Sequence, residues 1–174
     1  MARISFEQVN AIPDILDQTG FELVMGSIPI SGGTEDLTIK CQNVSIPGMS
    51  TEAWEAMMHG HVKRFRGRKV YPRQLSATFY EDSLFRTHAK LRAWLEFIAG
   101  SESGNSQGFQ EEYSVTAELR VYNTVGDLIV VDRMEHFYPQ DLQDVQLDGS
   151  SSQGVSVSCT FSYDRFLSNV TPIL

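Results

Sequence analysis

From residue 113 the chain alternates between apolar and polar positions: Tyr113, Val115, Ala117, Leu119 and Val121 point one way, Ser114, Thr116, Glu118, Arg120 and Tyr122 the other. Successive side chains of a strand face opposite sides, so the pattern predicts a strand with one core face and one wet face. Asn123, Thr124, Val125 and Gly126 read as a short turn, and residues 127–138 resume with β-branched residues until Pro139, whose missing N–H predicts a stop. The pair predicts a hairpin. A third alternation covers 155–165, with Val155, Val157, Cys159, Phe161 and Tyr163 on one face and Ser156, Ser158, Thr160, Ser162 and Asp164 on the other. Earlier, residues 21–28 and 37–46 predict strands on either side of a Ser31, Gly32, Gly33 turn signal, and 74–80 alternates through Leu75, Ala77 and Phe79. Residues 54–70 fit a strand through Trp54, Ala56 and Met58, while Gly60 and a basic run mark an exposed arm behind a long leading loop.

One helix is expected, over 83–99, because Leu84, His88, Leu91, Leu95 and Ile98 recur at steps that place them on one stripe, widened by Trp94 and Phe97. Asp82 or Ser83 would cap its start, and Gly100 suits the left-handed position at its end. Residues 101–110 and 148–154 read as polar surface loops. No internal repeat or second domain is evident, so the fold class is mainly β with a single helix.

At 174 residues, a single domain can bury about two-thirds of the surface that its unfolded chain exposes. Apolar residues at 41% and charged residues at 21% describe a globular protein. No apolar run approaches bilayer length and no signal-like segment opens the chain, which implies neither a membrane nor export. Fourteen Lys and Arg against twenty-two Asp and Glu give a net charge of −8, the wrong sign for gripping nucleic acid. The charges are segregated. Lys63, Arg64, Arg66, Arg68, Lys69 and Arg73 make one basic segment, whereas Asp127, Asp132, Glu135, Asp141, Asp144 and Asp148 face only Arg133 in another. Such separation can steer self-association. The basic segment has three readings: an arm docking on the acidic patch of a sister subunit, a nucleic-acid contact, or a solvated loop. The arm reading takes in Pro47, Gly48 and the nearby methionines.

Catalytic motifs are missing: there is no nucleophile elbow, phosphate-cradling glycine loop, HExxH or paired-cysteine motif. No enzyme, cofactor or metal is therefore expected. His59 and His61 would share a strand face at a chelating distance, but they lack a third ligand and sit beside cations, so an exposed arm is the simpler reading. His88 and His136 read as structural, and Cys41 and Cys159 as small core residues.

The succession of segments resembles the tail tube proteins of contractile-tailed bacteriophages. It consists of Leu37-Thr-Ile-Lys-Cys-Gln-Asn-Val-Ser-Ile-Pro-Gly48, a long loop, Leu75-Ser-Ala-Thr-Phe-Tyr-Glu-Asp82 entering a helix with Trp94, then Val121-Tyr-Asn-Thr-Val-Gly-Asp-Leu-Ile129, Phe137-Tyr-Pro-Gln-Asp-Leu-Gln-Asp-Val-Gln-Leu-Asp148 and Val155-Ser-Val-Ser-Cys-Thr-Phe-Ser-Tyr-Asp164. The resemblance covers 21–166 as a tail tube domain, leaving 1–20 as an N-terminal arm and 167–174 as a C-terminal tail. It implies a two-sheet β-sandwich or barrel with one flanking helix. Six copies would close a ring around a shared inner β-barrel, and rings would stack into a tube. About 24 strands spaced ~4.8 Å apart give a wall roughly 37 Å across, wide enough for duplex DNA.

The implied partners are further copies of the chain, the tail sheath protein outside, and baseplate and tail terminator proteins at the ends. The implied location is the virion, after assembly in the host bacterial cytoplasm. Residues Pro47, Gly48, Lys63, Arg64, Arg66, Arg68 and Lys69 become the inter-subunit arm. Glu118, Asp132 and Glu135 become candidates for the lumen, where acids would repel phosphates and let DNA slide without specific binding. Three other readings stay open: the tube of a type VI secretion system or tailocin, a monomeric ligand-binding β-sandwich, and a hydrolase of unknown type.

Overall fold

A computed structural model describes residues 16, 18–30, 33–100, 108–148, 150 and 153–170. The expected turn at Ser31 and Gly32, much of the N-terminal arm, the loop at 101–107 and residues 171–174 lie outside the described residues. The elements in chain order are β1 (Phe21–Met25), α1 (Glu35–Lys40), β2 (Cys41–Val44), β3 (Ser50–Met58), β4 (His61–Val70), β5 (Gln74–Tyr80), α2 (Arg86–Ala99), α3 (Gln110–Tyr113), β6 (Val115–Tyr122), β7 (Leu128–Leu142), β8 (Ser156–Ser162) and β9 (Arg165–Val170). Seven strands join in one antiparallel ladder, β1-β6-β7-β8-β5-β2 with β9 also on β7, and β3 and β4 form a separate two-stranded sheet.

The ladder folds into two layers because β7 bends. Up to Phe137 it pairs with β6, and over Val130–Glu135 with β9; from Tyr138 onward it pairs with β8. His136 stands at the bend with φ 55°, a left-handed conformation uncommon for a residue with a side chain. One strand thus serves both sheets. The expected stop at Pro139 is corrected: β7 continues to Leu142, with Pro139 opposite Phe161 and the register slipping before Asp141. A slip in the ladder is where a strand tolerates a missing N–H.

Between the layers, Phe137 stacks on Phe161 at 4.5 Å between ring centres, and Phe79 meets Phe161 edge-on at 6.3 Å. Leu23, Leu75, Leu119, Met134, Val157 and Tyr163 complete a core with almost no solvent exposure. The alternation predicted for β6 and β8 is followed residue by residue. Tyr113 departs from it by ending the short helix α3, where its carbonyl accepts a 2.8 Å bond from the Trp94 indole.

Two further expectations are corrected. Residues 37–46 are half helix: Glu35 and Asp36 in the first turn and Lys40 in the last match the helix dipole, and Leu37 is fully buried. Residues from 167 onward do not begin a tail, because the chain reverses at Tyr163 and Asp164 and returns as β9, with Phe166 packed against the core. The Tyr163 hydroxyl donates to the Pro72 carbonyl and fixes that reversal.

Helix α2 starts at Arg86, three residues later than its apolar stripe predicts. Asp82 caps it, with Oδ1 accepting from the N–H groups of Leu84 and Arg86 at 3.1 Å each, while the Lys40 ammonium lies 2.9 Å from Oδ2. Gly100 closes the helix at φ 61°, as its position predicts. The N–H of Arg86, then the Lys40 ammonium, hold the Asp82 carboxyl well below the usual carboxylate range. A folded-state pKa below the unfolded value of about 3.9 gives stability that is present at neutral pH and is lost as pH falls below ~4. Asp82→Asn should therefore melt lower than the parent at pH 7, and melts taken down to pH 2 should show the gap closing. A gap independent of pH would remove this role from Asp82.

Candidate functional site

Strands β3 and β4 form a ribbon that joins no other strand among the described residues. Its two-residue turn is His59-Gly60, at φ 48° and 80°, and two positive φ values are what the favoured turn of a tight hairpin requires. The histidine pair expected to share a strand face is therefore split, with His59 in the turn and His61 opening β4. The loop expected ahead of Trp54 is strand from Ser50. At Gly67 an added Cβ would come within 2.8 Å of the Glu52 carbonyl, beside a slip in the ladder between Thr51 and Ala53.

Cross-strand pairs hold the ribbon. On one face Trp54 stacks on Phe65 at 4.6 Å, with the Lys63 ammonium 5.3 Å from the Phe65 ring. On the other, Glu55 bridges Arg64 at 2.5 Å, and at the slipped end Glu52 bridges Arg68 at 2.9 Å. Arg66 lies opposite Ala53 and has no ion-pair partner among the described residues. None of the described residues covers the tip: Met57 is 79% exposed, and Trp54, Met58 and Val62 are each at least half exposed. Nine residues of β3 at ~3.3 Å each give a reach of about 30 Å. Two-stranded ribbons are marginal alone, so a long apolar one is suited to lie against another surface.

Pro47 and Gly48 sit at the ribbon's root, where they line a cavity of about 420 Å³ together with Ile46, Met49, Lys69, Tyr71, Asp132, Phe166, Leu167 and Ser168. The Lys69 ammonium lies 6.0 Å from the Tyr71 ring. The seven residues expected as an arm thus belong to one feature and its base.

The three expected lumen acids do not share a face. Asp132, named above as a lumen candidate, pairs in register with Leu119 and Ser168 on the core side and is only 3% exposed. Glu118 and Glu135 point outward from the β1-β6-β7-β9 sheet, where arginines answer them: Arg120 lies 2.7 Å from Glu118 and Arg165 3.6 Å from Glu135. With Glu22 and Arg133 on the same side, acids and arginines balance three to three. In the opposite sheet β2, β5 and β8 contain no charged residue, and their outward side presents Ser76, Thr78, Ser158 and Thr160, with a 3.0 Å bond between Thr78 and Ser158 and the acid Asp141 of β7 opposite Thr160.

Nucleophile chemistry has little to work with. Burial pushes the Cys159 thiol up to about 12 and Cys41 up to about 11, so neither forms thiolate near neutral pH. Among the described residues no three His, Cys, Asp or Glu side chains group closely enough for a metal. The His136 ring lies 3.3 Å from the Ser114 hydroxyl, and His88 packs 5.0 Å from the Phe85 ring.

Comparison with curated proteins finds no match. Among solved structures, the sheath/tube terminator of an extracellular contractile injection system (PVC) superposes with TM-score 0.67 at 14% identity, covering 92% of this chain and 100% of that one. The sheath-tube complex of such a system gives 0.61 at 15%, covering 97% and 100%, and the cap of the anti-feeding prophage 0.65 at 12%, covering 92% and 95%. At such identities the likeness is one of fold. The family model for phage tail tube protein matches residues 3–169, nearly the whole chain, and the chain therefore belongs to the phage tail tube protein family.

Proposed function

We propose that six copies of this chain close into a ring through the β3–β4 arm, and that rings stack into the hollow tube of a contractile phage tail. The observation that carries this reading is a ribbon with about 30 Å of reach and an uncovered apolar tip, in a chain of the tail tube family. A head-to-tail ring uses such an arm fully, since each copy gives one and receives one. The tube serves as a passage for the genome, with a sheath outside it and baseplate and terminator proteins at its ends. Its place is the virion, and its assembly occurs in the bacterial cytoplasm. Solved neighbours described as sheath-tube complex, tube terminator and baseplate support those partners.

We assign the bore to the uncharged, hydroxyl-rich side of β2, β5 and β8, because a wall without cations offers no purchase to phosphates. Glu118 and Glu135, whose charges are cancelled by neighbouring arginines, then lie on the tube's other side. The test is electron microscopy and light scattering of the purified protein, followed by complementation of a tube-deficient phage. Sixfold rings or tubes are expected. Thr160→Lys should keep the tubes and slow DNA release, whereas Glu118→Lys should not. A strict monomer at high concentration, even with a baseplate seed, overturns the assembly; the reverse ranking of the two variants restores Glu118 to the lumen.

A further inference from the structure

Asp132 Oδ1 is the one buried side-chain N or O atom without a hydrogen-bond partner among the described residues. Asp132 is one of the residues that line the cavity at the root of the arm, between the 46–49 segment and β9. A buried carboxylate without a donor is costly and needs a cation or N–H to complete it. Within the chain the candidate donor is Lys69, whose ammonium is held over the Tyr71 ring instead. Of the three guanidinium groups on the arm, Arg64 and Arg68 are engaged by Glu55 and Glu52, and Arg66 is not. An unpaired carboxylate at the base of the arm and an unpaired guanidinium halfway along it are complementary.

We infer that the cavity receives Arg66 from a second copy of the chain, and that its guanidinium pairs with Asp132. The inference rests on the assembly proposed above and names the contact that latches one subunit to the next. The fit is chemical as well as electrostatic. Arginine carries an apolar stem suited to walls made by Ile46, Met49 and Leu167, and a planar fork that can meet both carboxylate oxygens at once. The pair also explains why an acid survives at a core-phase position, since Asp132 is uncompensated only in the isolated subunit.

The test uses full-length protein and its critical concentration for ring formation. Asp132→Asn should keep the subunit folded, melting at or above the parent, yet raise the critical concentration on the order of thirtyfold; Arg66→Gln should do the same. The double variant should be no worse than either single one, as expected for two groups in one contact. Normal assembly by Asp132→Asn overturns the inference, as do additive effects in the double variant. Lys69→Gln reproducing the Asp132→Asn melt while Arg66→Gln assembles normally places the partner within the same chain and also overturns it. Should Asp132→Asn fail to fold, mixed Arg66→Cys and Asp132→Cys chains treated with a short bifunctional thiol reagent should give a dimer band only when both are present, and absence of that band rejects the pairing. Parent protein that forms no rings removes the assembly reading itself, whereas parent rings with unaffected variants remove only this contact.

Discussion

Replacing residues 50–70 by a turn of ~4 Gly and Ser residues should leave a folded monomer that forms no rings. Ser50 and Val70 face each other across the ladder, and Cα atoms of such partners lie about 5 Å apart, so a short turn can close the gap. No core residue comes from this segment, and among the described residues the ribbon pairs with no other strand. The melting temperature should therefore move little. Assembly should fail because Trp54, Met57, Met58 and Val62 leave with the ribbon. Each is half to four-fifths exposed in the single chain and is worth roughly 1 kcal/mol or more once covered, a sum comparable to the cost of ordering one subunit against another. Light scattering and circular dichroism read the two halves of the claim separately. Rings from the shortened chain would show that the arm is dispensable, and a chain that no longer folds would make the ribbon part of the core.

Phe161→Ala should cost about 3–5 kcal/mol, the largest single-residue loss expected here. The ring stacks on Phe137 and contacts Phe79 and Trp94, so its removal opens a void shared by β5, β7, β8 and α2. For a chain of this length that loss corresponds to a fall in melting temperature of roughly 10 °C. Denaturant unfolding supplies the free energy directly, and a loss under ~1 kcal/mol would mean that the neighbouring rings collapse into the space. The two variants are opposites, since one should spare stability and abolish assembly while the other weakens both.

The strands easiest to find in the sequence are those with one wet face and one dry face. Residues 115–121 and 156–162 alternate because each has a core on one side only, and 74–80 does the same. The ribbon hides for the converse reason. Both its faces are open in the single chain, so charged and apolar residues mix on each side and no period of two survives. The turn signal His59-Gly60 was present, but Gly60 reads equally as a mark of an exposed arm. Helix α1 has six residues, too few to display a helical period, and it therefore passes for the start of β2. Strand β9 is masked by Ser168 and Asn169, which look like the fringe of a terminus.

Among site residues, the basic run of β4 is legible from charge alone, whereas the burial of Asp132 takes a closer count. Its spacing from Val130 and Met134 puts it in the core phase of β7, and an acid in that phase is the signal that an alternation count detects. Arg120 stands two residues from Glu118 in the sequence, but Arg133 comes opposite Glu118, and Arg165 opposite Glu135, only through strand pairing.

The bend at His136 has a mechanical meaning. In an ordinary sandwich two sheets adhere through side chains and slide past one another when pushed along their planes. Here the sheets share β7, so a thrust delivered to one passes into the other through covalent backbone. Displacing the layers requires stripping the ladders that β6, β9 and β8 make with β7, rather than slipping apolar surfaces. A wall built from such units would resist shear as a folded plate does, by the continuity of the fold line, and would stay stiff under axial load even where its packing is imperfect.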